Sequence, residues 1–81
     1  MDNEEIQVEC YSGCKVSERP VAFTFQGHRW EVSEIVDRWY ECGIKPDDPI
    51  IDYFKVKTND GSVFILQYVE YLDVWSILIQ R

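Results

Sequence analysis

The sequence predicts an all-β fold, a small antiparallel barrel or strongly curved sheet of five to six strands that closes on a three-stranded meander. Short runs along most of the chain alternate apolar with polar residues, the period of a half-buried strand. Turn chemistry separates the runs, at Gln26-Gly27, across Cys42–Asp52 and at Asn59-Asp60-Gly61. The chain has only 81 residues, of which 46% are hydrophobic and 15% aromatic. So many short strands in so little chain would leave exposed edges, and closure removes them.

Each element follows from its residues. Residues 1–4 are expected to fray. Ile6-Gln7-Val8-Glu9-Cys10 alternates, and Ser12-Gly13 breaks it. Val21-Ala22-Phe23-Thr24-Phe25 alternates again with Val21, Phe23 and Phe25 on one face, and Gly27 supplies the positive φ of a tight hairpin before Trp30-Glu31-Val32 resumes. Val32–Tyr40 has two readings. Val32, Ile35, Val36 and Trp39 lie at helical spacing, with Ser33 as cap and Gly43 as stop. The same residues make a long bent strand if one bulge near Ser33-Glu34 keeps Trp30, Val32, Ile35 and Trp39 facing inward. Their β-branched and aromatic content favours the strand. Cys42–Asp52 is loop, with Gly43, Pro46 and Pro49. Tyr53–Lys57, Val63–Tyr68 and Val74–Ile79 then form the meander. Residues 1–81 form one domain, since this length serves one core and not two.

Asp and Glu outnumber Lys and Arg by 15 to 8, for a net charge of −7. A protein that tracks a phosphate backbone needs a positive footprint, so this balance weighs against nucleic acid and anionic membrane as targets. No apolar run approaches membrane-spanning length, and the acidic N-terminus lacks the order of a secretory signal. The expected location is the cytoplasm. Three cysteines without a signal form a poor disulfide framework, so reduced thiols are expected.

Cys10, Cys14, His28 and Cys42 could supply a Cys₃His zinc site, but the spacing holds one loose pair where structural zinc usually has two tight ones. No metal or other cofactor is therefore expected. Thiol catalysis needs a depressed pKa and a base, and no local motif provides them around Cys14-Lys15. Asp47, Asp48 and Asp52 lack the spacing of a calcium loop and read as solvated turn residues. No catalytic residues are assigned, and no enzyme is expected. Tyr53, Lys55 and Lys57 share one strand face. With Arg29, Arg38 and Arg19 as neighbours, they make the best case for nucleic acid, where aromatics stack on bases and cations hold the backbone.

The last strand is the strongest anomaly. Val74 and Leu78 lie on one side and Trp75, Ile77 and Ile79 on the other, so both sides are apolar. Such a strand is normally covered twice. Either the N-terminal strand covers it or another chain does, which makes Trp75, Ile77 and Ile79 candidate interaction residues for a protein partner or a second copy.

Several segments together resemble a known family: Glu18-Arg19-Pro20-Val21-Ala22-Phe23, Gly27-His28-Arg29-Trp30-Glu31-Val32, Asp37-Arg38-Trp39-Tyr40, Tyr53-Phe54-Lys55-Val56, and Asp60-Gly61 before the apolar strands that end near Trp75. Their order is similar to that of a family of small uncharacterised bacterial cytoplasmic proteins. Related domains resemble C-terminal tails of proteins similar to Y-family DNA polymerases. The likeness spans roughly residues 6–79 as a pattern of core aromatics and turns. It carries no catalytic residue, and it implies at most an accessory role near DNA. The chain departs from the pattern in a longer Cys42–Asp52 loop and in the more apolar Val69-Glu70-Tyr71-Leu72. The expected function is a non-enzymatic protein-interaction module using an aromatic and apolar sheet face. The alternatives are a nucleic-acid-associated accessory domain and, third, a small enzyme or metal-binding domain.

Overall fold

A computed structural model of the chain describes residues 2–10, 19–42, 47 and 50–79, and in these it is all-β. Six strands run in order: β1 (Asp2–Cys10), β2 (Pro20–Phe25), β3 (His28–Glu41), β4 (Ile51–Thr58), β5 (Val63–Val69) and β6 (Val74–Ile79). Each pairs antiparallel with the next, and β1 pairs with β6, so the sheet closes into a barrel. β1 makes the closure by serving both neighbours. Asp2–Ile6 pairs with β6, and Gln7–Cys10 pairs with β2.

Turn residues set the registers. Phe25 faces His28, and both residues between them, Gln26 (φ 54°) and Gly27 (φ 74°), are left-handed, the geometry whose twist matches a two-residue hairpin. Between β4 and β5, Gly61 (φ 88°) takes the left-handed position of a three-residue loop, and its amide donates to the Thr58 carbonyl at 2.9 Å. Asp60 Oδ1 accepts from the Ser62 amide at 3.1 Å and from the Thr58 hydroxyl. These bonds hold the Asp60 carboxyl below the usual carboxylate range.

The core lies between the walls. Phe23, Phe54, Val56, Leu66 and Ile77 are sealed, with Ile6, Tyr68 and Trp75 around them. Val8, Cys10, Phe25, Trp30, Val32, Ile35 and Phe64, partly buried, pack against this cluster. Phe64 meets Phe23 (5.4 Å, 77°) and Trp30 (5.0 Å, 63°) edge-on, an arrangement ring quadrupoles favour.

Val32–Tyr40 is strand, and it is bulged twice. The pairing with β4 skips Ser33, and it skips again at Val36. At the first bulge the Ser33 hydroxyl donates to the Lys57 carbonyl at 3.0 Å. The second bulge reverses the alternation a single bulge predicts. Trp30, Val32 and Ile35 pack on the core as expected, but Trp39 lands outside opposite Tyr53, and Arg38 takes the place opposite Phe54. Val21 departs from its expected face for the same reason. Cys10 pairs with Pro20 and Glu9 with Ala22, so Val21 is extra and lies exposed. The expectation that residues 1–4 fray also differs from the structure, because Asp2, Asn3 and Glu4 are paired with Ile79, Leu78 and Ile77.

Candidate functional site: the outer face of β4, β5 and β6

Alternation divides the last three strands between core and surface. β4 sends Asp52, Phe54, Val56 and Thr58 inward, β5 sends Phe64, Leu66 and Tyr68, and β6 sends Trp75 and Ile77. The candidate interaction residues Trp75 (7% exposed) and Ile77 (1%) are therefore core, and offer no docking surface in the closed barrel. The side chain of Ile79 lies outside the described residues.

The opposite face is apolar as well. On β5 the outward residues are Val63, Ile65, Gln67 and Val69, and on β6 they are Val74, Ser76 and Leu78. Register joins them into rows. Ile51, Val69 and Val74 form one, Lys55, Ile65 and Leu78 another, and Tyr53, Gln67 and Ser76 a third between them. At the edge of the third row Trp39 stacks on Tyr53, centroids 5.4 Å apart and planes 9° from parallel. Burial raises the Tyr53 hydroxyl pKa above its ordinary value, and its hydrogen bond with Glu41 adds to the shift. A groove of about 540 Å³ runs beside the Lys55–Ile65–Leu78 row and reaches Phe25 and Phe64. Antiparallel sheets with one wet face normally turn polar residues outward. This face does not.

The residues considered for nucleic acid are brought together only in part. Tyr53, Lys55 and Lys57 share the outer side of β4, but Asp37 stands opposite Lys55 and Glu34 opposite Lys57. Arg29 lies elsewhere. Its guanidinium donates to Glu9 on β1 at 2.8 and 3.2 Å and to Glu31 at 2.9 Å, spanning β2 above the sealed Ala22. These bonds lower the Glu9 carboxyl and raise the guanidinium, which is thereby committed to its own acids. Arg38 lies over the Phe54 ring, its Cζ 4.9 Å from the centroid. Arg19 is exposed ahead of β2.

The described metal candidates do not converge. Cys10 pairs with Pro20 at the start of β2, whereas His28 pairs with Phe25 at its end, roughly 16 Å away at strand spacing. Cys42 follows the far end of β3, and Cys14 lies outside the described residues. Among the described residues no three metal-ligating side chains cluster.

Asp52 was expected in a solvated turn, and Asp48 lies outside the described residues. Instead Asp52 is 8% exposed, on the inner row of β4 opposite Tyr68. Its side chain is hydrogen-bonded to Glu70, and that bond, with burial, lifts the Glu70 carboxyl above the ordinary glutamate range. Glu70 also anchors the β5–β6 turn, since its amide donates to the Ile50 carbonyl and its carbonyl accepts from Asp73. Tyr68 Oη donates to Asp73 Oδ1 at 2.6 Å.

Comparison of the chain with protein-family models, with curated proteins and with solved structures found no match. No helix among the described residues is long and apolar enough to cross a membrane.

Proposed function

We propose that this chain is a cytoplasmic, non-enzymatic protein-interaction module, and that it docks through the outer face of β4, β5 and β6. One observation carries the reading. β5 is apolar on both sides, and its outward Ile65 and Val69 continue in register into Leu78 and Val74 on β6. Two apolar rows on an outer sheet face, with Gln67 and Ser76 between them, suit an interaction surface better than a solvated wall. The Trp39–Tyr53 stack adds rigid aromatic area at its margin, the residue type that most often anchors an interface. An accessory role near nucleic acid would draw on Tyr53, Lys55 and Lys57 of the same face. The acids opposite both lysines and the two glutamates on Arg29 weigh against it.

The test is site-specific photo-crosslinking in cells that make the protein. A photoreactive side chain at Gln67, central to the face, is expected to form discrete protein adducts. The same group at Thr24, exposed on β2, is expected to form none. Equal labelling from both positions, or none from either, would remove this face as a docking surface.

A further inference from the structure

Closure of the barrel leaves one edge open. The ladder of β2 with β3 ends at Ala22–Glu31, whereas β3 continues along β4 to Glu41. Among the described residues, nothing pairs with Glu34–Glu41 on the side away from β4. Neighbouring residues of a strand turn their backbone groups to opposite sides, so about half of the amides and carbonyls in this segment face the open edge. The Arg38 amide donates at 2.8 Å to the adjacent Asp37 carboxylate, a local cap and not a ladder bond. Val36, Trp39 and Tyr40 lie exposed along the same stretch. An edge of this length is a template for another strand.

The side chains decide which strand fits. Glu34, Asp37, Trp39 and Glu41 form the outer row of β3, opposite Lys57, Lys55, Tyr53 and Ile51. Among the described residues neither lysine closes to an ion pair. Asp37 and Glu41 accept one bond each, from the Arg38 amide and the Tyr53 hydroxyl, and a carboxylate has sites for several. Trp39 lies between these two acids on the row. One face of its ring is stacked on Tyr53 of β4, which turns the other face toward the open edge. An indole face flanked by two carboxylates suits a guanidinium or an ammonium. A second acidic copy laid along this edge would set like charges opposite each other, which is destabilising. The acids thus refuse self-pairing, the usual hazard of an open edge, and admit a basic strand.

We infer that β3 takes up an extended basic peptide segment by strand addition along Glu34–Glu41, with one lysine or arginine of that segment on the free face of Trp39. Main-chain bonds supply the affinity, and the acidic row sets the choice of partner. Alternate residues of the segment point to the inner side, beside Ile35 and Tyr40, where β-branched residues fit. The site is an edge, distinct from the outer face of β4, β5 and β6, so it stands or falls independently of docking there.

The probe is an eight-residue peptide alternating lysine with valine, titrated into the isotope-labelled chain at low salt and read by backbone amide NMR shifts. Saturable shifts are expected over Glu34–Glu41, with none from a peptide alternating glutamate with valine. The basic peptide N-methylated at every residue keeps its charge but cannot form a ladder, and is expected to bind roughly tenfold more weakly. Trp39→Ala is expected to weaken the unmodified peptide about threefold. Trp39→Leu serves the same purpose if that variant does not fold. No shifts, or shifts centred on other strands, would overturn the inference. Equal binding of the N-methylated peptide would reduce the contact to charge and overturn strand addition. A Trp39→Ala chain that binds as tightly as wild type would overturn the seat on that ring.

Discussion

Glu70 shows how a single carboxyl registers its surroundings. Its folded pKa lies above the ordinary value because its side chain shares a hydrogen bond with that of Asp52, and burial adds to the effect. A carboxyl whose folded pKa is raised binds its proton more tightly in the native state. Its contribution to stability is therefore complete below the unfolded pKa and is lost as pH rises through the folded one. Glu70→Gln keeps a donor toward Asp52 without the second negative charge. Thermal melts are expected to show the variant above wild type at pH 7–8, the two converging as pH falls below the usual glutamate range. A variant that melts lower at pH 8 would mean the carboxylate form is the better partner. Glu9 runs in the opposite direction, since the Arg29 hydrogen bonds depress it, and its contribution disappears only as pH falls through its lowered pKa. At Gln26 the backbone sets the preference. A side chain with φ of 54° beside Gly27 suits asparagine better, and Gln26→Asn is expected to raise stability by several tenths of a kcal/mol in chemical denaturation. The buried position of Asp52 was legible in the sequence, since Asp52, Phe54, Val56 and Thr58 share one parity. The nearby prolines pull the eye toward loop.

At the scale of the element, β3 decides which aromatics are core. Its second bulge, at Val36, puts Trp39 on the outer stack with Tyr53 and leaves Phe54 sealed behind Arg38. Denaturant titrations should separate the two aromatics. Trp39→Ala forfeits a surface stack, about 1 kcal/mol. Phe54→Ala opens a cavity among Trp75, Val56 and Leu66, about 3–5 kcal/mol. Equal losses would place Trp39 in the core and contradict the bulge. The strand itself, the hairpins at Gly27 and Gly61, and the meander were all readable, because alternation and turn residues are local signals. The bulge count was not. A bulge is fixed by the partner strand, so one extra residue at Val36 or Val21 leaves composition unchanged and turns every later side chain over. The outer face was half legible. Val74 and Leu78 announced a second apolar side, but which side was inward depended on Tyr68 and Trp75 finding each other across β5 and β6.

Across the whole molecule, closure rests on a segment whose side chains give no sign of it. Asp2-Asn3-Glu4-Glu5 has no apolar alternation, and it is strand because its backbone completes the ladder of β6. That is why fraying was the natural reading of the first residues. Without this pairing β6 would become an edge, with Trp75 and Ile77 on one side and Leu78 on the other, and an apolar edge strand templates aggregation. The same segment places Glu5 and Asn3 beside the outer apolar face, so it protects the barrel by hydrogen bonding and by charge together. Removal of residues 1–5 tests both contributions. The shortened chain is expected to melt lower and to scatter light on concentration. Replacing Glu4 and Glu5 with glutamine leaves the backbone intact and should preserve the melt within about 0.5 kcal/mol, as surface substitutions usually do. If the glutamine variant unfolds as readily as the truncation, charge and not strand pairing holds the first strand to the sixth. If the truncation melts like the full chain, the barrel does not depend on its closing ladder.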